Sequence, residues 1–234
     1  MRVVYHARPP YVSAVFIPLR DLNPTARRPI VTWTLIALNV AVFAYQLSEG
    51  DGFAARWGVT AADLVGDPGA ASYSRLFTSM FVHIGWLHLL GNLWFLHVFG
   101  DNVEDELGRG PFLAFYLASG LAAVATHIAI DPASKLPMVG ASGAIAGVLG
   151  GYLVLYPRAR VVALVLVFFV ELPAWVFLFV WFGLQLVNAF YSLAQVESGG
   201  DVAFFAHVGG FVTGLAMVLA LRRHGQKQMP RAPG

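Results

Sequence analysis

Long uncharged apolar runs alternate with short charged segments along the chain, and these runs set the expected elements. Six stretches carry no Asp, Glu, Lys or Arg over about the length a helix needs to cross ~30 Å of hydrocarbon at ~1.5 Å per residue. They are Ile30–Leu47, Leu76–Gly100, Pro111–Ile130, Leu136–Pro157, Leu172–Val196 and Val202–Leu221. A seventh run, Val161–Val170, has only ten residues between Arg160 and Glu171; it is too short to cross and reads as an interfacial or re-entrant connection. The pattern predicts an all-α polytopic membrane protein with six transmembrane helices. Weakly structured tails are expected at 1–29 and 222–234, flanking a membrane domain at 30–221.

Composition agrees and narrows the class. Hydrophobic residues make up 58% of the 234 residues and charged residues 12%, against about 25% charged in a soluble domain. A water-facing surface cannot be covered with so little charge, which excludes a soluble globular enzyme. The chain has no cysteine, so disulfides, thiolate zinc sites, iron–sulfur clusters and cysteine nucleophiles are excluded. The net charge of +2 comes from basic residues scattered at the ends of the runs, without the aromatic interleaving of a nucleic-acid patch, and no nucleic-acid partner is expected. Of the fifteen Lys and Arg residues, twelve fall on the side that holds both tails and only Arg56, Arg75 and Lys135 on the other. That asymmetry predicts both termini in the cytoplasm. The first run lacks a cleavage site and reads as a retained anchor; short tails without a Ser/Arg-rich transit segment point to a bacterial plasma membrane.

Ionisable or strongly polar residues inside a span are costly and are candidates for function or for helix–helix contact. Here they are His83, His88, Asn92, His97, His127, Ser142, Gln185, Asn188 and His207. His88 and Asn92 are four apart and share a helix face, whereas His97 is half a turn out of phase. His83, His97 and His127 read as structural or interface histidines. From Ser142 to Tyr156 there are fifteen residues, about 22 Å of helix. A helix ending at the cytoplasmic interface would therefore start roughly 8 Å below the outer surface of a ~30 Å core. First-turn N–H groups at that depth need a polar cavity or an anion, and with the helix dipole they favour a developing oxyanion. Gly143, Gly147 and Gly151 form a stripe of small residues, and Ala206, Gly210 and Gly214 form another at the same spacing. Packing the stripes together would bring Ser142 and His207 to one depth, the minimum set for nucleophilic attack with general-base activation. A serine at a helix start is ordinarily an N-cap and a glycine stripe ordinarily a packing device; it is their coincidence with the His88/Asn92 pair that points to a site.

These residues carry a resemblance. Gly140-Ala141-Ser142-Gly143, Ala206-His207-Val208-Gly209-Gly210 with Gly214, and His88-Leu89-Leu90-Gly91-Asn92 resemble, in order and spacing, the three motifs of the rhomboid intramembrane serine proteases over residues 30–221. The turn Gly100–Gly108 is also similar, with Glu104 in a structural role. The resemblance implies a rhomboid-like bundle with a short central fourth helix. It implies a Ser142–His207 catalytic dyad, an oxyanion site of His88, Asn92 and the Ser142 backbone N–H, no metal or other cofactor, and single-pass membrane proteins as substrates. It also implies access from the bilayer gated by Leu172–Val196 and the loop that follows. Asp131 and Asp201 are not assigned to a triad. Two positions depart from the pattern: Ser74-Arg75 stands where some members have Trp-Arg, and Ala146 where some have an aromatic ring against the catalytic histidine, which leaves the orientation of His207 open. The alternatives are a catalytically inactive rhomboid-like chaperone or binding module, a transporter, and a histidine metal site; the last two lack paired broken helices and a matching ligand spacing.

Overall fold

The computed structural model describes residues 16–50, 52–66, 68–193 and 203–227. The chain runs β1 (Phe16–Asp21), α1 (Ile30–Glu49), short helices α2 (Phe53–Trp57), α3 (Ala61–Gly66) and α4 (Ala70–Thr78), a 3-10 turn, α5 (Trp86–Leu107), α6 (Arg109–Ile130), α7 (Ser142–Leu155), β2 (Arg160–Val165), β3 (Phe168–Pro173), α8 (Ala174–Leu193) and α9 (Ala203–Lys227). It is a mostly helical integral membrane protein. Among the described residues four helices are long and apolar enough to cross a bilayer, lying within α1, α6, α8 and α9. A bent pair, Ala70–Phe81 with Trp86–Leu107 at 77°, adds a fifth candidate, and the apolar Ser142–Leu155 is shorter.

Three expectations change. The run Leu76–Gly100 is not one helix: it breaks around Val82–Gly85, and α5 then continues to Leu107, past the first charges. It continues because those polar groups have partners. Glu104 accepts from the Val31 and Thr32 N–H groups (2.9 and 2.7 Å) and the Thr32 hydroxyl (2.8 Å), supplying the cap that Pro29 does not give α1. Asp105 accepts from the Ala26 N–H at 2.6 Å.

The fold is also not all-α. Val161–Val170 lies in an antiparallel hairpin, and Phe16–Asp21, expected in a weakly structured tail, pairs with it to give the order β1-β2-β3. The C-terminal segment likewise stays helical to Lys227; residues 1–15 and 228–234 lie outside the described residues. β1 is tied to the bundle through Asp21, whose Oδ2 accepts from Asn102 Nδ2 (2.7 Å) and the Tyr152 hydroxyl (2.8 Å).

Burial raises the Asp21 pKa to about 6; the Asp101 charge adds to the shift and the Tyr152 bond opposes it. The native state therefore holds this proton more tightly than the unfolded chain does, with its carboxylate near 3.9. The stability so gained is present below about pH 4 and is lost as pH rises through about 6. The thermal midpoint should fall between pH 5 and pH 7 in the wild type, and this component should vanish in Asp21→Asn; identical pH profiles for the two proteins would contradict it.

The centre of the bundle is α7, buried along nearly its whole length between α5, α6 and α9. The α7–α9 contact is glycine to glycine. A Cβ on Gly210 would collide with the Gly143 carbonyl oxygen and one on Gly214 with that of Gly147, while Gly147 faces the Gly210 carbonyl. Gly151, the third residue of the α7 stripe, instead meets Phe115 and Val218. Without side chains between them the two backbones touch, and this fixes the relative height of the residues at their ends.

Candidate active site

Ser142 opens α7, and the loop before it is held from two sides. Val59 and Met138 exchange backbone hydrogen bonds (3.1 and 2.7 Å), and the Gly140 N–H donates to the Ser79 carbonyl at 2.8 Å. Gly140 has φ +117°, a conformation that L side chains rarely adopt, and a Cβ there would lie 2.7 Å from His88 Nε2 and 3.7 Å from Asn92 Nδ2. The glycine thus brings the loop against the one-face pair on α5, where the Asn92 amide also donates to the His88 carbonyl at 2.9 Å.

Ser142 does not cap its helix with its side chain. Its hydroxyl is 2.8 Å from His207 Nε2, and the other ring nitrogen, Nδ1, is 2.8 Å from Gln185 Oε1 on α8. An amide oxygen only accepts, so Nδ1 carries the proton and the lone pair of Nε2 faces the serine. The His207 ring is flanked by Trp181 and Phe204, with centroids at 6.5 and 5.9 Å. The orientation left open by Ala146 is supplied from α8 and α9. Gln185 was singled out in the sequence, with Asn188, as a polar residue inside an apolar span, but nothing in the spacing gave it a role or distinguished it from Asn188.

A cavity of about 30 Å³ adjoins the pair, lined by Ser79, Met80, Met138, Gly140, Ser142 and His207 among others, which is room for one or two water molecules. Of the remaining polar candidates, His83 lies beside the site, its ring edge-on to that of His88 with centroids 5.1 Å apart, and the others sit elsewhere. His83 is buried, with its ring nitrogen 3.3 Å from the Phe81 carbonyl and its backbone gripped by the Gln46 amide. His97 packs against Trp33 and Trp94, His127 is buried in α6 and Asn188 is half-buried on α8. Asp131 ends α6, and its N–H donates to the His127 carbonyl. Asp201 and the loop joining α8 to α9 lie outside the described residues. Where the family pattern has Trp-Arg, Arg75 pairs with Asp63 at 3.2 Å, joining α4 to α3, and Thr78 donates to the Trp57 carbonyl.

The comparisons with known proteins bear on the family of the chain. The Rhomboid domain model matches residues 70–224. Rhomboid protein 1, mitochondrial, of Saccharomyces cerevisiae is 28% identical over 206 residues, covering 86% of this chain and 56% of that protein. The rhomboid protease GluP of Bacillus subtilis is 34% identical over 134 residues, 54% of this chain and 24% of its own length. The presenilin-associated rhomboid-like protein, mitochondrial, of Bos taurus is 28% identical over 150 residues, 61% of this chain and 36% of that protein. The chain thus spans about half or less of the length of these relatives. With the family model covering most of the chain, including both Ser142 and His207, this protein belongs to the rhomboid family.

Proposed function

We propose that this protein is an intramembrane serine endopeptidase of six spans, with both termini cytoplasmic in a bacterial plasma membrane. Its substrates are single-pass membrane proteins, cut in or near their spanning helix. The observation that carries the reading is the chain of 2.8 Å contacts from Ser142 Oγ through His207 to Gln185. Ser142 Oγ attacks the scissile carbonyl as Nε2 of His207 takes its proton. The tetrahedral intermediate collapses with expulsion of the amine, which receives that proton, and leaves an acyl ester on Ser142. Water, activated by the same nitrogen, then hydrolyses the ester.

His88, Asn92 and the Ser142 N–H are assigned to the oxyanion. The first two stand against Gly140, two residues before the nucleophile; the third lies in the first turn of α7, where N–H groups have no partner within the helix and the dipole favours negative charge. The substrate segment must unwind before its carbonyls are accessible, and α8 with its apolar face is the gate.

The test is cleavage of a fluorogenic single-span reporter by purified protein, comparing wild type with Ser142→Ala and His207→Ala, each with and without a metal chelator. Activity that survives the chelator and is absent from both variants supports the dyad. Full activity in Ser142→Ala would refute it, and no wild-type activity across several reporters would favour the inactive chaperone or binding-module reading.

Gln185 acts on His207, not on substrate, and is a positioning residue. Gln185→Leu leaves Nδ1–H without its acceptor as the ring becomes charged, a loss of about 1.5–3 kcal/mol, or roughly 10- to 100-fold in kcat, with KM unchanged. Gln185→Glu places a carboxylate on Nδ1 and should move the acid limb of the pH–rate profile to higher pH, because the imidazolium is stabilised. An unmoved acid limb in Gln185→Glu would remove this role.

A further inference from the structure

We propose that the β2–β3 hairpin is inserted into the membrane and that its tip contacts the lipid acyl chains of the leaflet remote from Ser142. The inference stands on the sheet alone and does not depend on catalysis.

The sheet lies lengthwise against α5. At its base Asp21 bonds to Asn102; three residues earlier the Pro18 carbonyl accepts from Trp94 Nε1 at 2.5 Å; and Phe16 stacks on Phe177 of α8 at 4.5 Å, with Phe95 of α5 6.5 Å from the same ring. Trp94 precedes Asn102 by eight residues, about 12 Å of helix, and α5 carries no charge before Asp101. β1 therefore climbs from the charged end of α5 to about 10 Å inside its uncharged part. Phe16 pairs with Val165, and Val165 with Phe168, so the turn at Leu166–Val167 lies at that depth or deeper.

The outward face of the sheet changes character over the same distance. Its inner face, with Val161 and Ala163 fully buried, packs on the bundle. The cross-strand row nearest the base on the outer face is Arg20, Val162 and Glu171, with Glu171 also paired to Arg160 at 3.6 Å. The next outer row is Ile17, Leu164 and Phe169, followed by the turn. One step of two residues, about 6.6 Å, separates a charged row from a wholly apolar one. At the tip Leu166, Val167, Phe168 and Phe169 are all exposed, Val167 at 77% and Phe169 at 75%. Four consecutive large apolar residues facing water would be a strongly unfavourable surface; at the depth of Trp94 they face hydrocarbon.

The backbone and the sequence fit this placement. Along β1 the Pro18 nitrogen has no hydrogen to satisfy and its carbonyl is taken by Trp94, while on β3 only residues 168–170 of the outer edge reach hydrocarbon depth, which limits the cost of an open edge there. Charges flank rather than interrupt the inserted stretches: Arg20 follows that of β1, and Arg160 and Glu171 bracket that of the hairpin.

The absence of cysteine makes the test direct. Val167→Cys and Phe169→Cys, with Leu22→Cys beyond the base of β1 as reference, are labelled with an environment-sensitive fluorophore. Each protein is reconstituted into phosphatidylcholine/phosphatidylglycerol vesicles containing lipids spin-labelled at the headgroup or along the acyl chain. At positions 167 and 169 the expected result is blue-shifted emission quenched at least twofold more by acyl-chain labels than by headgroup labels, with the reverse order at 22. Emission of a water-exposed probe quenched by aqueous iodide would overturn the proposal. So would quenching at headgroup depth only, or a shielded probe that acyl-chain labels do not reach, as when another protein covers the tip.

Discussion

Ser142→Ala and His207→Ala are each expected to lower reporter cleavage by at least about three orders of magnitude, and the double variant by no more than either alone. Nucleophile and base act as one unit, so removing the second after the first has little left to remove. The loss should appear in kcat, because neither group is needed to hold the substrate's helix, and reporter binding should be retained in Ser142→Ala. Covalent labelling by a fluorophosphonate offers an independent reading. It requires the hydroxyl of Ser142 and the lone pair that His207 directs at it across 2.8 Å, and it should vanish in both variants. Labelling of Ser142→Ala at the wild-type rate would mean that another hydroxyl is the nucleophile.

The second large effect is expected far from any reacting atom. Gly214→Ala adds one methyl group where the Gly147 backbone already stands, and Gly210→Ala does the same against Gly143. The obstacle is main chain within a buried helix and no rotamer change relieves it, so the cost belongs at the upper end of overpacking, about 3 kcal/mol. The only relief is for α9 to move away from α7. Since Ser142 and His207 are carried by these two helices, a shift of about 1 Å stretches the contact beyond hydrogen-bond length and costs roughly 100-fold in rate. Gly183→Ala on α8 is the control: no atom lies within 4 Å of the added Cβ, and alanine favours a helix over glycine. Equal thermal midpoints and rates for Gly183→Ala and Gly214→Ala would show that the glycine contact does not set the geometry.

What was legible in the sequence was carried by local spacing. The apolar runs gave the long helices because a helix in lipid must satisfy its own backbone and repel charge along its length. Glycines four apart mark a helix face whatever that face meets, so the two stripes were legible from residue numbers and their packing, with the meeting of Ser142 and His207, was the arrangement they would allow; the structure shows that arrangement. His88 and Asn92 were placed on one face by the same rule.

Where charge was used to mark helix ends, the reading failed in proportion to how well the charges were paired. Asn102, Glu104 and Asp105 lie in α5 beyond the expected end, because β1, the N-terminus of α1 and the Ala26 N–H take up their polar groups. Charge does not mark the bend before Trp86, since uncharged residues stand on both sides of it; Gly85, which caps α5 there, is the local signal that a reading by charge alone passes over.

The sequence by itself determined a membrane bundle, the buried start of α7 and the two matching small-residue stripes, because each depends on hydrophobic length or helical period within one segment; that the stripes meet and bring Ser142 to His207 is a relation between segments that the structure supplies. Only the tertiary structure decided the sheet, the partner of His207 and the depth of the hairpin. β1 pairs with a strand some 140 residues away, and a ten-residue apolar run is as suitable for a hairpin as for an interfacial stretch. Gln185 reaches His207 only through the rotation of α8 against α9, and the hairpin lies deep only because Pro18 and Phe16 dock on Trp94 and Phe177. These are relations between segments whose spacing in the chain says nothing of their spacing in space.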